Sequence, residues 1–338
     1  MRSIARNCIH VVSALCLFSL VSGCGDGGGS GASGLSYTGS TSAATLTPTN
    51  SASLLGGAYT GGNSGIIIGD VTAGLTHYDY GASRRPRTLV LAEALIKFAH
   101  LAAVDDTLAR PETAATVTNI PGSSLNGNCG GTATVDGSYD DVGKTISISA
   151  ILNNYCQDGT TLNGTVGASG LAVADAQNNI KISSITITLA KLSAGYGGDS
   201  FTADGTMSIA PQAGSTYIDN DIVLTIDMLF KDNATAKVYK LENFSIAQSS
   251  TIGTVSYEDI TINGRYYDPD EGYVDLSTPT TIRIINNDQW PSSGSLRGTG
   301  NSSSATITAQ SNTTYQLDVD SDGNGSVDST ESGLWTNI

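Results

Sequence analysis

Apolar and polar residues alternate along most of the chain after residue 129. Two runs show the pattern most cleanly, Thr132 to Tyr139 and Lys144 to Tyr155, joined by Asp140-Asp141-Val142-Gly143. Side chains of a strand alternate between its two faces, so this pattern predicts a β-hairpin with a four-residue turn. Pairing residues whose numbers sum to 285 sets Val135 opposite Ala150 and Tyr139 opposite Ile146. That register gathers Ile146, Ile148, Ala150 and Leu152 on one face. It turns Thr134, Asp136, Ser138, Ser147 and Ser149 to the other.

The period changes only once. Leu89, Ala92, Leu95, Ile96, Ala99, Ala102 and Ala103 recur at three and four residues, which predicts an amphipathic helix over residues 88–104 that covers a sheet. From Cys129 to Leu317 the reading is strand throughout. A mid-strand glycine recurs in Val135–Tyr139, Leu162–Val166, Ala203–Met207, Ile262–Tyr266 and Leu296–Thr299, at irregular intervals that exclude a strict solenoid. Glycine inside strands marks bulges and sharp coiling. The expected fold is therefore mainly β: a large curved antiparallel sheet or half-barrel of about ten strands, with one amphipathic covering helix.

The N-terminus has a different character. Arg2 and Arg6 precede an apolar stretch from Ile9 to Val21, followed by Ser22-Gly23-Cys24. A basic region, a short apolar region and a small-residue cleavage site make a secretory signal, too short to span a bilayer. Cys24 after Val-Ser-Gly resembles the lipobox of bacterial lipoproteins. The resemblance implies cleavage before Cys24 and lipid on its thiol and new amino group, and Gly25 in place of aspartate implies sorting to the outer membrane. Residues 1–23 are thus expected to be signal. Residues 24–55, rich in Gly, Ser, Thr and Ala, are expected to form a flexible tether with an r.m.s. reach of roughly 30 Å. The β domain is expected over 56–317 and a terminal loop and tail over 318–338.

Removing the signal lowers the formal net charge from −15 to −17, because that segment carries two arginines and no acid. So acidic a surface disfavours nucleic acid and suits a secreted cation-binding protein. Cysteine usage then simplifies. Cys8 and Cys16 leave with the signal and Cys24 carries lipid, which leaves Cys129 and Cys156. An oxidising compartment and their opposed places in the hairpin register predict a disulfide between them.

Residues 320–331, Asp-Ser-Asp-Gly-Asn-Gly-Ser-Val-Asp-Ser-Thr-Glu, place oxygen ligands at positions 1, 3 and 5, glycine at 6 and an apolar residue at 8. Asp328 stands at position 9 and Glu331 at 12. A hard cation needs six to eight oxygens, and a glutamate at position 12 can give two at once. The loop resembles the calcium loop of the EF-hand family. The resemblance implies one structural Ca2+ held by Asp320, Asp322, Asn324, the Ser326 carbonyl, Asp328 and Glu331. The flanks depart from that family, since Thr314 to Val319 alternates as a strand and supplies no entering helix. A second acidic cluster, Asp268-Pro269-Asp270-Glu271-Gly272, reads as a hairpin turn. The nearby Tyr266, Tyr267 and Tyr273 read as cross-strand aromatic pairs or a sugar-stacking platform.

Catalytic motifs are missing: only His77 and His100 follow the signal, and no Gly-x-Ser-x-Gly elbow occurs. The sequence therefore points to a non-enzymatic lipoprotein of the cell envelope. It would be anchored to the outer membrane by lipid and stiffened by calcium and a disulfide, and would serve surface structure, adhesion or assembly with envelope proteins or glycans. A carrier of a lipid or other hydrophobic ligand is the first alternative, and a hydrolase with an unrecognised site the second.

Overall fold

A computed structural model of the chain describes residues 34–60 and 117–338, apart from short breaks at 128, 141, 158–159, 175–179, 197–198, 219–220, 287, 289 and 338. The described residues belong to one compact unit, Gly34–Ile338. Helix α1 (Ser51–Thr60) is followed by β1 (Val117–Asn126), β2 (Gly130–Asp140), β3 (Thr145–Gln157), β4 (Thr160–Ala174) and β5 (Ile180–Tyr196). Then come β6 (Asp199–Pro211), β7 (Ile222–Asp232), β8 (Val238–Thr251), β9 (Tyr257–Asp268) and β10 (Gly272–Ile285). The chain closes with β11 (Ser293–Gly300), β12 (Ser303–Ala309), β13 (Thr314–Asp320), β14 (Ser329–Leu334) and a 3-10 turn at Trp335–Asn337.

The fourteen strands of the described residues form one antiparallel sheet in sequence order, β1 to β14, with no pairing between its two ends among those residues. The protein is mainly β, and the sheet stays open. The residue-sum register holds from Asp140↔Thr145 through Val135↔Ala150 to Thr132↔Asn153. Beyond it a shift at Gly130 and Thr132 carries Gly130 opposite Cys156. The count of fourteen exceeds the expected ten in part because β1 and β14 lie outside residues 129–317, the stretch read as strand.

One face of the sheet holds the core. Along β3, Ile146, Ile148, Ala150 and Leu152 are all buried, and β7 alternates in the same way from Ile222 to Phe230. The opposite face is mostly Ser and Thr. Across eight strands one row runs Ser138, Ser147, Ser169, Thr186, Ser208, Thr225, Ser245 and Asn263, each paired with the next. Period two thus segregates apolar from hydroxyl side chains over most of the sheet.

The recurring glycines have two uses. Gly164, Gly205 and Gly264 have φ of 137°, 140° and 120° and sit beside register shifts. A Cβ on Gly205 would meet the Asp227 carbonyl oxygen at 2.4 Å, and one on Gly264 the Asn243 carbonyl oxygen at the same distance. These are bulge positions that coil the sheet, as expected. Gly298 is different: a Cβ there would meet Leu55 Cδ2 at 2.7 Å, so the missing side chain makes room for α1.

The segment expected to be tether is packed from Gly34 onward. The Leu35 N–H donates to Asp204 Oδ2 (2.7 Å) on β6, and Tyr37 packs on Tyr267 with ring centroids 5.5 Å apart. Ser42 and Ala44 bond to the backbone of Tyr273, and the Asn301 N–H donates to the Ala44 carbonyl. Ala44, Leu46, Leu54 and Leu55 are fully buried, which outweighs the Gly/Ser/Thr composition that reads as linker. The helix that packs against the sheet among the described residues is α1, touching β9 and β11 to β13. The helix expected over 88–104 lies outside the described residues.

Candidate metal centre

β13 and β14 pair from Thr314↔Leu334 to Val319↔Ser329, so the acidic loop is the connection of a hairpin. Asp320 ends β13 and is nearly buried, with a relative exposure of 7%. Its Oδ1 accepts from the N–H groups of Gly323 (2.8 Å) and Asn324 (3.2 Å), and its Oδ2 from that of Gly325 (2.9 Å). Three successive amides wrap one carboxylate because Gly323 and Gly325, at φ 70° and 86°, let the chain fold back.

The remaining loop bonds fix the other polar side chains of the loop. Asp322 Oδ1 accepts from the Asn324 N–H (3.1 Å), and Asn324 Oδ1 accepts from the Ser326 N–H (2.7 Å). Asp328 Oδ2 accepts from the Ser321 N–H (2.7 Å), which ties the two ends of the loop. As a result, carboxylate oxygens of Asp320, Asp322 and Asp328 all lie within 4.8 Å of one another. Three like charges this close repel unless a cation sits among them. These three carboxylates could hold a metal ion, and they supply three of the six to eight oxygens that Ca2+ takes.

Glu331 is not in that group. β14 starts at Ser329, directly after Asp328, so position 12 is carried along the strand opposite Leu317 and is not folded back by an exiting helix. Its charge is felt instead by Tyr315, whose hydroxyl is pushed above its usual pKa by burial first and by Glu331 second. Ser326 sits at the exposed tip of the loop. Asp318, outside the ligand pattern, is bound by the Gln316 amide (2.9 Å) and the Thr330 hydroxyl (2.7 Å).

The other predicted positions fall as follows. Cys129 and Cys156 form the disulfide, with Cα atoms 5.1 Å apart. Cys24, His77 and His100 lie outside the described residues. Asp268 to Gly272 is the β9–β10 turn, where Asp268 Oδ1 accepts from the N–H groups of Asp270 (2.9 Å) and Glu271 (3.1 Å). The tyrosines are engaged within the sheet. Tyr266 stacks on Tyr239 at 6.3 Å, Tyr267 meets Tyr273 at 5.4 Å, and Arg265 lies 3.8 Å over the Tyr273 ring.

What the sequence did not reveal is the ionic lattice around those rings. Arg265 is bidentate to Asp275 (2.7 and 2.9 Å), and Arg283 is bidentate to Asp259 (2.7 Å each) while lying over Tyr257. Lys240 pairs with Glu242, which also accepts from the Tyr267 hydroxyl (2.7 Å). These partners, the Lys240 bond first, hold the Glu242 carboxyl below its usual pKa. Asp232 is likewise lowered: burial pushes it up, but bonds from Thr235 and the Ala234 N–H outweigh that. The cross-strand pairs among these depend on the register of adjacent strands, which composition and motif do not fix. Comparison with protein-family models, curated proteins and solved structures finds no match to this chain.

Proposed function

We propose that this is a non-enzymatic lipoprotein of the cell envelope, anchored through Cys24 to the outer membrane. Its calcium-stabilised β domain would serve surface structure, adhesion or assembly. The observation that carries the reading is the convergence of Asp320, Asp322 and Asp328 in a loop flanked on both sides by strands, where an ion can brace the sheet. The disulfide and the single continuous sheet support a rigid scaffold. Against the hydrolase alternative, the two carboxylates among the described residues with displaced pKa values, Asp232 and Glu242, move down, away from the range of a proton donor.

Among the described residues no helix is long and apolar enough to cross a membrane, so in this reading the lipid is the anchor. Cys24→Ala is expected to abolish membrane association and leave an unprocessed precursor on fractionation and mass analysis. Wild-type protein that is soluble and free of acyl mass would overturn the anchor. Thermal melts that show no calcium-dependent shift up to about 10 mM, above the weak end of extracellular affinities, would overturn the structural ion.

A further inference from the structure

The last strand is held at its ends more than along its length. Among the described strands β14 pairs with β13 alone, and Thr330, Glu331, Ser332 and Leu334 are exposed, with the Thr330 hydroxyl bond to Asp318 (2.7 Å) as the side-chain tie between the two strands. Beyond Leu334 the chain turns inward, and Trp335 is only 5% exposed. Its indole stacks on Trp290 at 5.5 Å and meets Tyr315 at 5.1 Å. The Nε1–H donates to the Ser311 carbonyl (3.0 Å), and the backbone N–H of Trp335 to that of Thr313 (3.1 Å). Leu55, Tyr59, Leu296 and Ile307 line the apolar hollow beside the ring pair. A buried indole with its polar tip bonded is a strong anchor on a strand that has few others.

We propose that β14 and Trp335 exchange between two copies of this chain. Each copy's last strand completes the other's sheet at β13 and seats its Trp335 in the other's slot, which closes a two-fold dimer. The occupant is the segment already seated there, so the interface is the complementarity of the folded chain with itself. Exchange remakes the ladder and the Trp335 contacts, so its balance rests on the hinge, residues 321–328. Extended, they span about 26 to 29 Å, enough to carry a strand to a neighbour. The closed hinge brings carboxylate oxygens of Asp320, Asp322 and Asp328 within 4.8 Å of one another, and extension separates these like charges. Extension also gives up the three amide bonds to Asp320, but Gly323, Asn324 and Gly325 are exposed and water can take their place. The other edge is less suited to a partner: β1 carries Pro121 and a register shift between Ile120 and Ser123, both of which blunt edge pairing.

Exchange requires no ion, and a chelator in the test separates it from the calcium reading. The chain from residue 24 is used with Cys24→Ser, so that with Cys129 and Cys156 bridged the introduced cysteines are the free thiols. Gln316 and Ser332 are Cα partners across β13 and β14, within the span of a disulfide. A chain carrying both Gln316→Cys and Ser332→Cys is expected to bridge within itself at low concentration under mild oxidation; no bridge there would overturn the strand seat on which exchange depends. Chains carrying one substitution each are then mixed, incubated at high concentration and oxidised. Exchange predicts two chains linked between positions 316 and 332, several-fold above like-chain dimers and rising with the concentration of the incubation. Trp335→Ala in the Ser332→Cys chain should lower that yield several-fold. Mixed dimers no more abundant than like-chain dimers would overturn exchange. A yield unchanged by Trp335→Ala would overturn the slot as the feature that is recognised.

Discussion

Within the β13–β14 loop, backbone amides do the first part of the work. Three N–H groups point at Asp320, so its charge is compensated locally, whereas Asp322 and Asp328 bring further charge to the same spot. Removing any of the three should therefore weaken a bound cation more than removing Glu331, which stands in the ladder beside Tyr315. In titration calorimetry Asp320→Asn and Asp328→Asn are expected to lose binding in the millimolar range that extracellular calcium sites occupy, and Glu331→Gln to retain it. Equal loss in all three would restore Glu331 as a ligand. Tyr37 offers a second test at this scale. Burial, with the charge of Asp268 next, pushes its hydroxyl up to about 12 from an ordinary 10.0. A raised pKa in the folded state means stability that is complete below pH 10 and lost as pH rises through 12. Tyr37→Phe is expected to flatten that alkaline loss in denaturant melts relative to wild type; Tyr239 and Tyr315, also raised, keep part of the slope.

At the level of strands, the sheet is long because neighbours pair and coiled because particular positions cannot pair regularly. Gly205 is the sharpest case, combining φ 140° with a carbonyl where a side chain would go. Gly205→Ala should cost about 1 to 3 kcal/mol in urea unfolding from backbone strain, before any clash is counted. Gly167→Ala, where the nearest atom is Thr188 Cβ at 4.0 Å, is the control and should change stability little. The hairpin of β2 and β3 was legible because its apolar and polar residues alternate without interruption and two cysteines fix its ends. The bulges were legible as a tendency of Asx-Gly pairs. Their effect on register was not, since Gly298 shares the motif yet pairs regularly with Ala305, and Gly137 pairs regularly with Ile148 of β3 while flanking a shift against β1. α1 was illegible for a physical reason. Its sequence, Ser-Ala-Ser-Leu-Leu-Gly-Gly-Ala-Tyr-Thr, has two glycines and no amphipathic stripe, and its helicity comes from burial of Leu54, Leu55 and Ala58 against the sheet.

For the molecule as a whole, composition misplaces the domain boundary. Gly, Ser, Thr and Ala before residue 55 have the composition of linker, but composition does not register that Ala44, Leu46, Leu54 and Leu55 are spaced to enter the core between β10 and β13. The backbone of Ser42 to Ala44 acts as a short extra strand beside Tyr273, Leu46 donates its N–H to Ser303 Oγ, and Asn50 reaches Glu271. The segment therefore ties β6, the β9–β10 turn and the β11–β12 turn together, elements far apart in sequence. A domain begun at residue 56 keeps every strand and loses all of these contacts. Deleting a single buried leucine side chain costs about 2 to 5 kcal/mol in a packed core, and this truncation removes three. Measured at one calcium concentration, the 56–338 protein is expected to unfold at markedly lower denaturant than the 34–338 protein, and to bind apolar dyes through the face that α1 covered. Adding calcium should raise both midpoints, because the β13–β14 loop is intact in each. Equal midpoints for the two lengths would mean that residues 34–55 contribute nothing to the fold and serve only as linker.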